Sequence, residues 1–138
     1  GLILFINGFQ DYIADREVGK RTWVVRLADG SDIADFAKPF KVYKISIYIT
    51  FLYVLGLGIV GFIYSQFSSP WVLLALIPFL LVRKGIKFGE EWLDKWSSKD
   101  AYRQKLPYDL LPFNVTHIGT HLTVGVLLIL GYYLGAVI

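Results

Sequence analysis

Cysteine is absent from the 138 residues, which excludes disulfides and thiolate-held metals. Methionine is absent too, even at the first position. The expectation is an internal start within a longer polypeptide, with residues 1–6 as the tail of an apolar helix. A signal peptide would need a basic head and a longer apolar core. Charge is missing over two long stretches: 45–82 and 110–138 contain no Asp, Glu, Lys or Arg. A charged side chain near a bilayer centre costs roughly 2.5–3.5 kcal/mol, so such gaps mark candidate membrane spans. The excess of positive charge is only +3 and flanks apolar segments. That reads as membrane orientation, not nucleic-acid binding.

What is present agrees. Hydrophobic residues make up 55% of the chain and aromatics 17%, a composition of the membrane class. The expected fold is all-α and integral to the membrane, a single domain over 1–138. It is part of a multi-helix bundle: the tail of a preceding helix, about three full spans and an interfacial helix. Residues 1–44 hold a polar motif and loop, and 43–64 form the first span. Ser65–Pro70 is an uncharged turn, and 71–88 form a second span kinked at Pro78. Residues 89–112 are an interfacial loop, and in the charged block around its start Phe88, Trp92 and Trp96 recur at helical spacing, suited to an interfacial helix at headgroup depth. Pro107 and Pro112 break helix before the last span, 115–138. The two charged blocks, 11–44 and 83–109, carry seven Lys/Arg each and are separated by two spans. They therefore share a side, and the positive-inside rule makes it the cytoplasmic face of a multi-pass protein in the cell membrane.

The richest chemistry lies in Asn7-Gly-Phe-Gln-Asp11-Tyr-Ile-Ala-Asp15-Arg16, followed by Gly19-Lys20-Arg21-Thr22. Asp11 and Asp15 are four residues apart, with Asn7 one turn back on the same helical face. Arg16, Lys20, Arg21 and Arg26 follow, and Gly19 permits an abrupt change of direction. Carboxylates that hold a divalent cation, beside cations that take phosphate oxygens, suit a magnesium–diphosphate substrate. A merely solvated helix face more often interleaves its charges. Tyr12 is expected to pack and not to face a cavity.

This stretch, continuing into Trp23-Val24-Val25-Arg26-Leu27, resembles the second Asp-rich motif of the UbiA superfamily of intramembrane aromatic prenyltransferases. The menaquinone-type branch, which prenylates dihydroxynaphthoate, is the nearest in wording. Leu111-Pro112-Phe113-Asn114, Thr116, His121, Gly125 and Leu127-Leu128 are similar to the start of that branch's last helix. The resemblance implies a transmembrane bundle whose site uses two Asp-rich motifs on facing halves. Only the second stands in this sequence, so the chain is expected to be a C-terminal half, inactive alone. The implied reaction moves a prenyl group from an allylic diphosphate to an aromatic acceptor in quinone biosynthesis, with Mg2+ as cofactor. Asp11 and Asp15 would carry the metal, and Asn7 would support metal or phosphate oxygens. Lys20 and Arg21, with Arg16, would hold the diphosphate. Implied partners are the two substrates, membrane lipids and the missing N-terminal half or other membrane subunits. The alternative is a non-catalytic small transmembrane subunit of an energy-transducing or pigment complex.

Other marks have blander readings. His117 and His121 are one turn apart and are expected to be hydrogen-bonded near the cytoplasmic end of the last span, not to ligate haem or metal. Gly131 with Gly135, and Gly119 with Thr123, are small-residue pairs that let helices approach. Asp29-Gly30 reads as a turn, and Asp32 and Asp35 as solvated residues near a helix entrance.

Overall fold

A computed structural model describes residues 2–28, 35–98 and 108–138, and among these all regular structure is helical. The Asp29-Gly30 turn, Asp32 and Pro107 lie outside the described residues. Three short helices open the chain: α1 (Leu2–Gln10), α2 (Tyr12–Glu17) and α3 (Trp23–Ala28). Then come α4 (Ala37–Ile63), a 3-10 segment (Pro70–Leu76), α5 (Phe79–Ser98), a 3-10 turn (Tyr108–Leu110) and α6 (Leu111–Val137).

Helices α4 and α6 are each 27 residues long and, by length and composition, apolar enough to cross a membrane. α4 begins where Asp35 Oδ1 accepts the Ala37 N–H at 3.0 Å, with Pro39 in the first turn, where a missing N–H costs no helical bond. Its inward stripe is Phe40, Tyr43, Ile47, Phe51, Val54, Gly58 and Gly61, at spacings of three or four. Beyond Lys44 its outer surface is apolar too: Ile49, Leu52, Tyr53, Phe62 and Ile63 are all exposed. Only 28% of the most apolar window of α4, and 17% of that of α6, is buried within the chain. A helix hydrophobic on all sides belongs in lipid or among further helices.

The expected second span, 71–88, is not one helix. Pro78 offers no N–H to the Leu74 carbonyl, which instead receives the Ile77 N–H at 3.1 Å, three residues on. The turn before it closes as 3-10, and α5 starts afresh at Phe79. The broken segment still retraces α4. Ser69 and Pro70 abut Gly61, Leu73 abuts Gly58, and the Phe79 ring lies 5.1 Å from Phe51. Further along, Gly89 meets the rings of Phe40 and Phe113, and Glu90 accepts from Lys44 at 2.9 Å. About 20 residues thus run antiparallel to α4 and α6, some 30 Å at helical rise. Ser69 caps the 3-10 segment by accepting the Trp71 N–H at 3.2 Å, and its hydroxyl donates to the Gly131 carbonyl at 2.9 Å.

Charge collects at the opposite end of this shaft. Phe36 is the hub there: its ring packs edge-on against Tyr12 (4.9 Å), Trp92 (5.3 Å) and Trp96 (4.7 Å) and lies 6.1 Å from Phe9. The two tryptophans stack on each other and are 4% and 8% exposed. They therefore face the core, packed on Phe36. The same cluster fixes α2, and with it the carboxylate motif, beside the start of α4 and the end of α5.

His117 sits deep in the bundle, its Nδ1 hydrogen-bonded to the Tyr43 hydroxyl at 2.7 Å and its ring against Gly85. Nε2 is buried and has no hydrogen-bond partner among the described residues. Tyr43→Phe should leave a fully buried ring nitrogen without a partner and cost about 1–3 kcal/mol of stability. Unfolding in mild detergent measures this, and an unchanged midpoint would mean the pair does not form.

Candidate functional site

The motif is built by two successive helix endings. α1 stops at Gln10 and the chain bends at Asp11. Backbone bonds carry helical spacing across the bend, with Asp11 N–H to Asn7 O at 3.0 Å and Asp15 N–H to Asp11 O at 2.7 Å. Asn7, Asp11 and Asp15 therefore keep to one side, as their spacing predicts. Their environments differ: Asn7 is half-buried, Asp11 exposed, and Asp15 only 6% exposed. Asp11 stands at the N-cap of α2, yet its carboxylate makes no capping bond.

α2 ends in a Schellman closure. Gly19, at φ +72°, takes the left-handed turn that residues with a Cβ avoid. Its N–H bonds Arg16 O at 3.1 Å, and the Lys20 N–H bonds Asp15 O at 2.7 Å. This folds Lys20 back over the last turn, where its Nζ donates to Asp15 Oδ1 at 2.9 Å. Asp15 Oδ2 is buried and has no hydrogen-bond partner among the described residues. Its hydrogen bond to Asp15, the Asp15 charge and, least, the Asp11 charge raise the Lys20 pKa above the usual lysine value, against an opposing effect of burial. The ammonium therefore stays charged throughout the physiological range, and its charge is lost as pH climbs through that raised value.

Beyond the turn, Thr22 accepts the Val25 N–H at 3.4 Å and starts α3. Val24 then packs on Gly8, where an added Cβ would lie 3.0 Å from Val24 Cγ2, so α3 is held under α1. Arg21 is exposed and has no ion pair among the described residues; Arg16 and Arg26 are exposed as well. Of the expected site residues, Asp15 and Lys20 are in contact, with Asp11 close enough to act on Lys20 electrostatically. Arg21 is drawn to neither carboxylate. Tyr12 is buried with its ring on Phe36, the packing role expected of it.

The donor set suits a particular kind of cation. No group of three or more His, Cys, Asp or Glu gathers among the described residues, which disfavours a zinc-type cage. Magnesium needs only one or two carboxylates, completing its shell with water and substrate phosphate. Asp11 is exposed and uncommitted and could serve as one such carboxylate, whereas Asp15 could do so only once Lys20 leaves Oδ1, its Oδ2 being buried.

Two polar groups on α6 carry no chemistry by motif. Asn114 is 2% exposed with neither amide atom bonded, and His121 Nε2 is also buried and unpaired. Seven residues apart, they share a helix face. The visible signal is a polar residue at a buried position of an otherwise apolar helix. No family model, curated protein or solved structure matches this chain.

Proposed function

We propose that residues 7–21 bind a magnesium-bound diphosphate, and that the chain is the C-terminal half of a UbiA-type, menaquinone-branch prenyltransferase. In this reading it lies in the cell membrane, α4 and α6 spanning and the retracing segment completing a third crossing, with the charged end cytoplasmic. One observation carries it. A helical carboxylate pair is followed, across a glycine turn, by Lys20 and Arg21 at the charged end of an uncharged apolar shaft.

Asp11 and Asp15 would hold the cation, and Lys20 and Arg21 the outer diphosphate oxygens, with Asn7 and Arg16 at the margin. Bound magnesium would supply Lewis-acid neutralisation of the departing diphosphate. The protein's own part is to place positive charge where the allylic C–O bond breaks and the diphosphate leaves with the electron pair. An electron-rich aromatic carbon then bonds to the allylic carbon and loses its proton. The facing motif of such a site is not among these 138 residues, so the prenyl and acceptor pockets would be completed by another segment or subunit.

The competing reading is a non-catalytic transmembrane subunit, favoured by the large uncovered faces of α4 and α6. Assaying the complete membrane protein with prenyl diphosphates, aromatic acceptors and Mg2+ decides between them. Magnesium-dependent prenyl transfer is expected; a complete protein that neither binds diphosphate nor transfers a prenyl group would support the subunit.

A further inference from the structure

In the arrangement shown, Asp15 is not open to a cation. Oδ1 is taken by Lys20 at 2.9 Å, and Oδ2 is sealed from solvent without a partner. Backbone geometry delivers the ammonium to this point, through the left-handed Gly19 and the Lys20 N–H bond to Asp15 O. The two partners differ in freedom: the Lys20 side chain is 62% exposed, that of Asp15 only 9%. Lys20 has room to leave, and Asp15 does not.

Resting on the diphosphate reading above, we infer that Lys20 is a displaceable latch on Asp15. Diphosphate draws the ammonium off Oδ1, and only then is the carboxylate open to the divalent cation. The lysine end of the pair is exposed and loses little on separation, and a diphosphate offers its ammonium several anionic oxygens in place of one, while the arriving cation compensates the Asp15 charge. The site consequently favours cation and diphosphate together and holds free cation poorly. Lys20 acts here as a positioning residue for Asp15, in addition to its contact with substrate.

Manganese, followed by electron paramagnetic resonance, and inorganic pyrophosphate test this on the detergent-solubilised protein. The wild type should bind Mn2+ weakly alone and at least tenfold more tightly with pyrophosphate. Lys20→Met, at an exposed position that folding tolerates, should bind Mn2+ alone about fivefold more tightly and lose most of the pyrophosphate gain. Arg21→Met removes the neighbouring charge without touching Asp15 and should raise affinity for Mn2+ alone by less. The latch is overturned if Lys20→Met is no tighter than wild type, or if Arg21→Met matches it, since the gain would then be a general field effect. In either case, pyrophosphate-dependent binding by the wild type leaves the diphosphate site standing. If no form holds Mn2+ even with pyrophosphate, the diphosphate reading fails and the latch with it.

Discussion

If residues 7–21 hold a magnesium-bound diphosphate as proposed, Asp15→Asn is expected to lower prenyl-transfer turnover of the complete protein by about 10²–10³-fold while leaving the unfolding midpoint within about 1 kcal/mol of wild type. The two halves of that statement rest on different features. On stability, Asp15 is buried with an unpaired Oδ2, and its one ion pair is to an exposed lysine. The lysine that loses its partner is exposed and rehydrates, and the isosteric amide removes a buried charge that is incompletely compensated. Folding should be unchanged or slightly improved.

On activity, the same burial works in the other direction. A charge with little water around it interacts more strongly with a divalent cation than an exposed one does. Asp11→Asn, at an exposed position, should therefore cost less and be partly restored by raising Mg2+. Asp15→Asn should resist that rescue. Steady-state kinetics across a magnesium titration, beside unfolding curves for both variants, provide the check. Normal turnover in both would rule out the metal role; a large stability loss at Asp15 would make it a structural residue.

Legibility from sequence followed the range of each interaction. Local features were readable: the helical class, the uncharged shaft, the break at Pro78, and the turn at Gly19 are set by residues within a few positions. The kink at Pro78 was anticipated, but not that the lost N–H would close the preceding turn as 3-10, because that depends on which neighbouring donor serves Leu74. Long-range partners were not readable. The Trp92 and Trp96 spacing is plain, yet their target is Phe36, more than 50 residues upstream. Tyr43 finds His117 across 74 positions. Lys20 was legible as a cation near carboxylates, whereas its hold on Asp15 follows from the left-handed Gly19. Asp11 and Asp15 look equivalent as letters; only packing makes one exposed and the other buried.

Substituting Gly61 or Gly131 with alanine should destabilise the bundle by about 1–3 kcal/mol, and valine by more, whereas Gly119→Ala should be neutral or stabilising. An added Cβ at Gly131 would lie 2.7 Å from Trp71 O, Val72 N and Val72 Cα. At Gly61 it would meet the Ser69 carbonyl, whose oxygen is 2.8 Å away, and the Pro70 nitrogen. These are backbone atoms of a capped, proline-bounded segment, and no rotamer change moves them aside. By contrast, Gly58 faces the flexible Leu73 side chain, so alanine there should cost less, whereas Gly135 faces Ser69 Cβ, fixed by its backbone, and the hydroxyl already bonded to the Gly131 carbonyl. Gly119 has open space around it, and alanine recovers the helix propensity that glycine lacks. At Gly131 the damage is compounded, since pushing the segment away also breaks the Ser69 bond to the Gly131 carbonyl. Unfolding in detergent should rank the variants at Gly131, Gly61 and Gly135 worst, Gly58 intermediate, and Gly119 unharmed. A wild-type midpoint for Gly131→Ala would mean the 3-10 segment does not lie between α4 and α6. The retracing path that returns the chain to its charged end would then have to be abandoned, and with it the placement of α5 beside the carboxylate motif.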